Sequence, residues 1–297
     1  MKTQLKYNKK NKYTKHIKHI KHIKHIKHNK YTKKLKNTKN TKNEAQNINK
    51  ILPYDVIIVG CARDIEYYLS NTKEKLQMLK SLFKSSKIII YENDSKDNTL
   101  NILKDWEKEK LIYLITEKDI KGTRTERLAY ARNLLYNEAM KHTFDLLIVI
   151  DLDNVIYKLT KESIFSCFNL KQNWAMLGAN QIYKYYDLWA LRTYDDWMPF
   201  DCWYCTQSNK PEKYTSIEYC IYSRYKKIPT YVKPIKVKSC FGGAAIYKRK
   251  YLDNCSYGTG NQLINGKIYE KCEHVDFNNS ILNNGGKIYI NPKFINK

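Results

Sequence analysis

No run of eighteen apolar residues occurs in the 297-residue chain, and a helix needs about that length to cross a bilayer. A transmembrane helix is therefore not expected. The basic N-terminus has no apolar core after it, so no secretory signal peptide is expected either, and the chain reads as cytoplasmic. A second Cys-x-x-Cys is also missing. Cys202-Trp203-Tyr204-Cys205 stands alone, and nothing in the spacing of Cys220 or Cys240 asks for the four ligands of structural zinc. The eight cysteines are scattered and read mostly as free thiols of a reducing compartment. Only Gly60 follows the first expected strand, where a nucleotidyltransferase would usually carry a Gly-rich phosphate loop.

Acid is nearly absent from residues 1–50, where 17 lysines face the single Glu44, a net +16. Of the formal +25, only +9 is left for residues 51–297, which are mildly basic. Lys-His-Ile repeats run from Lys15 to Ile26, and five of the seven histidines lie in this segment. A period of three fits neither helix nor strand and like charges repel, so residues 1–50 are expected to be a disordered tail. By charge alone such a tail can contact nucleic acid or an anionic membrane surface, and its histidines can hold transition metals weakly.

After Pro53 a regular pattern begins. Strands are expected at Tyr54–Gly60, Lys87–Tyr91, Leu111–Thr116 and Leu146–Ile150, with helices at Thr72–Phe83, Asp97–Glu109 and Glu126–Lys141 between them. Strict alternation predicts an α/β fold with a mainly parallel sheet and right-handed crossovers. Beyond residue 160 the rhythm loosens. Strands are expected at Trp174–Ala179 and Lys287–Ile290, the latter ending before Asn291-Pro292, and residues 183–225 are crowded with Tyr and Trp.

The chemistry concentrates where strands end. Leu146–Ile150 is uninterruptedly aliphatic and gives way to Asp151-Leu152-Asp153. Two carboxylates at the C-terminal end of a buried parallel strand sit where α/β sheets bind ligands. They suit Mg²⁺ or Mn²⁺ carrying a phosphate-bearing substrate. Arg63, after the first strand, can reach a nucleotide or simply be an exposed loop arginine. Glu92, Asp94 and Asp97 follow the second strand; they can cap the next helix or hold ribose hydroxyls and a base edge. Thr123 and Glu126 fit a capping box. Arg124, Arg127 and Arg132 near that helix start form an anion site, although Arg132, deeper in, can equally be a structural ion-pair partner. Gly242 and Gly243 mark a sharp turn or a close approach to a ligand. Among Cys272-Glu273-His274-Val275-Asp276, His274 can complete the metal shell, and Glu273 or Asp276 can act as general base.

Taken together, the chain resembles nucleotide-sugar glycosyltransferases of the type-A fold, closest to the capsule-associated mannosyltransferase-like group and related glycosyltransferases of giant viruses. The likeness spans roughly residues 54–295. It rests on Glu92-Asn93-Asp94-Ser95 with Asp97 and Thr99, Arg127…Arg132-Asn133, Asp151-Leu152-Asp153, Phe241-Gly242-Gly243 and Cys272-Glu273-His274-Val275. It implies a Rossmann-like single-domain α/β/α sandwich over residues 51–297. Residues 51–155 would bind the nucleotide sugar, and residues 156–297 would face the acceptor. It further implies Mn²⁺ or Mg²⁺ held by Asp153, with Asp151 on ribose or on the metal's water, and His274 in the metal shell. The reaction implied moves a sugar to a glycan or glycoprotein hydroxyl. The aromatics Trp197, Trp203 and Tyr204 can stack on sugar faces or fill the core. Donor sugar, acceptor and stereochemistry stay open, as do a nucleotidyltransferase built on the same aspartates and a nucleic-acid binder acting through residues 1–50.

Overall fold

Strands buried on both faces dictate the layering. In the computed structural model, which describes residues 51–208 and 215–297, the first half reads β1 (Leu52–Ala62), α1 (Leu69–Leu82), β2 (Phe83–Asn93), α2 (Thr99–Lys108), β3 (Tyr113–Glu117), α3 (Arg124–Met140) and β4 (Leu146–Ile150). The second half reads α4 (Lys161–Phe168), β5 (Met176–Asn180), α5 (Cys202–Ser208), α6 (Ser216–Cys220), β6 (Ile235–Val237), β7 (Ala244–Lys248), β8 (Asn261–Ile264), β9 (Lys267–Glu270), α7 (Glu273–Asn283) and β10 (Ile288–Ile295). The expected tail, residues 1–50, lies outside the described residues.

Eight strands form one sheet in the order β3-β2-β1-β4-β7-β5-β10-β6. Four of its seven pairings are parallel; β7 runs antiparallel to both neighbours, and β6 is antiparallel to β10. Ile57, Val59, Leu147 and Val149 face one core, with Leu135 and Ala139 of α3 and Phe277 and Ile281 of α7. Val56, Ile58, Ile148 and Ile150 face the other, with Leu76 of α1, Leu103 and Trp106 of α2 and Ile164 of α4. The molecule is thus a Rossmann-like α/β/α sandwich. Each fully buried aliphatic side chain contributes about 1.5–3 kcal/mol by leaving water.

Three features differ from the expectations. β10 does not stop at Asn291-Pro292 but continues to Ile295, with a register shift between Ile290 and Ile295; proline lacks the N–H the ladder needs there. A separate hairpin, β8–β9, turns on Asn265 and Gly266, both at positive φ of 51° and 75°, a conformation that Asn-Gly supplies readily. Cys205 is bonded to Cys220, tying α5 to α6, so the expectation of free thiols is corrected for that pair. Cys202 instead donates its thiol to the Leu188 carbonyl at 3.0 Å. Six cysteines are free.

From β1 the chain steps one way to β2 and β3, and β4 lies on β1's other side. The C-terminal ends of β1 and β4 therefore flank a topological switch point, where open α/β sheets hold their ligands.

Candidate active site

A cleft of about 630 Å³ opens at that switch point, with Arg63, Arg127, Arg132, Asp151, Asp153 and His274 among its lining residues. Its deepest charge is Arg132. α3 starts with the expected capping box, Thr123 accepting from the Glu126 amide and Glu126 from the Thr123 amide. The helix then buries Ala129, Arg132 and Tyr136 on one face, the i, i+3, i+4 spacing that turns a helical stripe inward. Arg132 is 5% exposed. Its Nη2 donates to Asp151 Oδ1 and its Nε to Glu273 Oε1, both at 2.9 Å, while the guanidinium lies 5.0 Å from the Phe241 ring centre. Burial opposes its charge, but the two carboxylates outweigh that and hold it ionised. Its Nη1 is buried without a partner. Glu273 opens α7, where the helix dipole favours an anion.

Asp151 and Asp153 stand at the end of β4. The Asp151 amide donates to the Gly243 carbonyl at 2.9 Å, which fixes the strand end against the turn before β7. Gly243 has φ +79°, and a Cβ there would collide with Val155 and the Tyr186 hydroxyl. The glycine pair thus makes a close backbone approach, while neither Gly242 nor Gly243 is among the cleft-lining residues. Crowding by protein and then the Asp151 charge raise the Asp153 carboxyl above its ordinary range. A carboxyl raised by its neighbour's charge fits a divalent cation, which neutralises both. Magnesium in particular takes one or two carboxylates and completes its shell with substrate phosphates.

His274 does not join them. Among the described residues no group of three or more His, Cys, Asp or Glu side chains is placed to share a metal ion. His274 is 2% exposed and stacks on Phe241 at 3.8 Å. Burial and then the Arg132 charge push its pKa far down, so the ring is neutral, and both its nitrogens lack partners.

The acidic turn after β2 is spent on its own loops. Glu92, 2% exposed, accepts from the Ser95 amide. Asp94, at φ 56°, accepts from the amides of Asp119 and Ile120. Asp97 accepts from the amides of Glu66 and Thr99. Reciprocal bonds latch this turn to the loop after β1: Asp64 accepts from Lys96, and Glu66 from Asn98. The turn presents Asn93 to the cleft, whereas Glu92, Asp94 and Asp97 are not among its lining residues. Asp276 is ion-paired with Lys271 and is likewise not in the lining.

Sequence reasoning missed two acidic side chains of the cleft wall, Asp64 and Asp187. Asp187 lines the cleft, its carboxylate accepting from the Gly242 amide at 2.8 Å and, more weakly, from the Ala190 amide at 3.4 Å. Burial pushes its carboxyl up to about 6, the Gly242 bond opposes this, and the Asp151 and Glu273 charges add to it. The available signal was a lone acid within the aromatic run Tyr185-Tyr186-Asp187-Leu188-Trp189. Trp189 and Trp203 also line the cleft, whereas Trp197 and Tyr204 are not in its lining. Trp197 is 6% exposed in the core, and Tyr204 packs on Tyr269.

No protein-family description matches the chain, and no curated protein does. Among solved structures it is similar to a mannosyltransferase of Pyrobaculum calidifontis in complex with GDP-Man and Mn²⁺, at 11% identity and TM-score 0.42, over 82% of this chain and 56% of that one. It is similar to S. aureus TarS in complex with UDP-GlcNAc, at 12% identity and TM-score 0.43, over 80% of this chain and 55% of that one. It is also similar to glucosyl-3-phosphoglycerate synthase of Mycobacterium tuberculosis in complex with UDP, at 11% identity and TM-score 0.36, over 69% of this chain and 62% of that one. The chain spans less than two thirds of each of these, and TM-scores below 0.5 establish neither a family nor an activity.

Proposed function

We propose that the protein is a glycosyltransferase that takes a sugar from a nucleoside-diphosphate sugar with the help of Mg²⁺ or Mn²⁺. One observation carries this reading: the paired strand-end carboxylates Asp151 and Asp153 share a cleft with Arg63, Arg124, Arg127 and Arg132. Carboxylates for a divalent cation beside guanidinium groups for phosphate are what a diphosphate leaving group requires. The motif resemblance implies the same reaction. Asp153, and Asp151 from its unpaired oxygen, would hold the cation, which supplies charge neutralisation to the departing diphosphate. Arg63, Arg124 and Arg127 bind phosphate oxygens at the rim. Arg132 orients Asp151, and its free Nη1–H adds a buried donor to the cleft wall. The neutral His274 supports Phe241 and with it the Arg132 side chain.

The test is thermal melting with a panel of UDP- and GDP-sugars, with Mn²⁺ and with chelator. A ligand at one hundred times its Kd stabilises the native state by about 2.7 kcal/mol. Wild type should gain a metal-dependent rise in melting temperature, and Asp153→Ala should lose the rise while melting normally by itself. A shift unaffected by chelator and by Asp153→Ala would remove the cation from the reading. No shift with any sugar nucleotide would remove the reading.

A further inference from the structure

We propose that Asp187, Trp189 and Trp203 form the acceptor subsite of this cleft, and that the acceptor is a carbohydrate whose ring lies on the indoles while its hydroxyl gives its proton to Asp187. The inference rests on the glycosyl-transfer reading above and deepens it.

Five carboxylates line the cleft: Asp64, Asp151, Asp153, Asp187 and Glu273. Asp151 and Glu273 are both bound to Arg132, and Asp64 lies 3.8 Å from Arg63. Their oxygens are already engaged by guanidinium groups. Asp153 is exposed and is the carboxylate assigned above to the cation. That leaves Asp187, for which the described residues show no ion pair. Its contacts are amides that fix its position without neutralising it. Its carboxyl, raised by burial, lies closer to neutral pH than an ordinary aspartate, as suits a general base.

The same cleft wall carries an aromatic surface. Trp189 and Trp203 lie with ring centres 4.3 Å apart at 41°, both half-buried and both in the cleft wall. Arg192 fixes their relation. It is 8% exposed, donates to the Trp189 carbonyl at 3.0 Å and is ion-paired with Asp201, whose carboxylate accepts from the Tyr204 amide in the first turn of α5. The Cys205–Cys220 bond anchors the same helix. Two indoles held rigidly beside a carboxylate match a molecule with an apolar face and a polar rim. A pyranose has both, its C–H face for the rings and its hydroxyl edge for Asp187. A serine or threonine hydroxyl on a peptide has no such face.

In the step, the acceptor oxygen forms a bond to the anomeric carbon as the bond from that carbon to the diphosphate oxygen breaks. The nucleoside diphosphate leaves with the electron pair, and the hydroxyl proton passes to Asp187. One direct displacement inverts the anomeric configuration.

The experiment uses the full chain, a UDP- or GDP-sugar that shifts its melting temperature, and two acceptor probes, an alkyl glycoside and a Ser/Thr peptide. Hydrolysis of the donor by water is followed in parallel, so that a rate exists for either acceptor. Asp187→Asn should lower kcat roughly 10²–10⁴-fold while donor binding stays near wild type and melting is not lowered, since the amide oxygen still accepts from Gly242. Trp203→Ala should raise KM for the glycoside about tenfold and leave KM for the donor unchanged. Wild-type turnover by Asp187→Asn, retention of configuration in the product, or transfer to the peptide in preference to the glycoside would each overturn the inference. If wild type binds no sugar nucleotide, the underlying reading fails first.

Discussion

Arg132 is the residue on which the cleft depends. It carries a fixed positive charge into the interior between two carboxylates, and the desolvation cost of such a group is tolerable only while its partners remain. Arg132→Met strands Asp151 and Glu273 together, and the expected loss is about 3–5 kcal/mol in urea denaturation. A variant within 1 kcal/mol of wild type, on the order of an exposed ion pair, would show that the triad is not buried as described. Asp187 makes a second prediction, with the opposite pH sense to a salt-bridged acid. Its carboxyl sits at about 6 in the folded chain against about 3.9 for an ordinary aspartate. The folded state therefore binds the proton more tightly than the unfolded state. That contribution to stability is complete below about pH 4 and lost as the pH rises through about 6. Melting temperature followed across this window should fall less steeply in Asp187→Asn than in wild type; equal slopes would show an ordinary carboxyl. Activity has the reverse dependence, rising as Asp187 ionises.

Elements place these residues, and the element that does most is α3. Its N-cap Thr123 satisfies an otherwise unpaired amide, next to Arg124 and Arg127 on the cleft rim. Thr123→Ala should cost about 1 kcal/mol of stability and weaken sugar-nucleotide binding at the same time, read by denaturation and by ligand-induced melting shift. Loss of stability with donor affinity intact would detach the helix start from the phosphates. This helix was legible in advance, as were β1 to β4, because aliphatic runs such as Leu146–Ile150 and the Thr123/Glu126 pair are local signals. The strand-end position of Asp151 and Asp153 followed from the same patterns. What was not legible depends on distant partners. Asp187 sits in an irregular loop held by Gly242 and by Ser239, which donates to the Ala190 carbonyl, contacts more than forty residues apart that no periodicity encodes. The hydrogen bonds that occupy Asp94 and Asp97 reach loops 25 to 31 residues away, so the same acids read equally well as ligands for ribose. Cys205 pairs with Cys220 fifteen residues on, a contact that the scattered cysteine spacing does not announce. The Asn265-Gly266 hairpin was a local signal that was available and unused.

At the scale of the whole chain, charge and core occupy different stretches of sequence. Residues 1–50 hold +16 with 17 lysines, whereas residues 51–297 hold +9, and the sandwich, the cleft and both cores are built within the latter. Stability and nonspecific anion binding should therefore separate on truncation. A chain of residues 51–297 is expected to melt within about 2 °C of the full chain, a shift that corresponds to no more than about 1 kcal/mol for a domain this large. Its affinity for heparin or for vesicles rich in anionic lipid should drop sharply. In the full chain that affinity should decline linearly in log–log form with salt, each lysine–phosphate contact adding about 0.7–0.9 to the slope on nucleic acid. The truncated chain should show a shallow slope, and its sugar-nucleotide shift should be unchanged, because the cleft arginines lie within residues 51–297. A large fall in melting temperature would mean that the lysine-rich segment takes part in folding. Salt-steep anion binding retained by residues 51–297 would locate the polyanion surface on the sandwich itself.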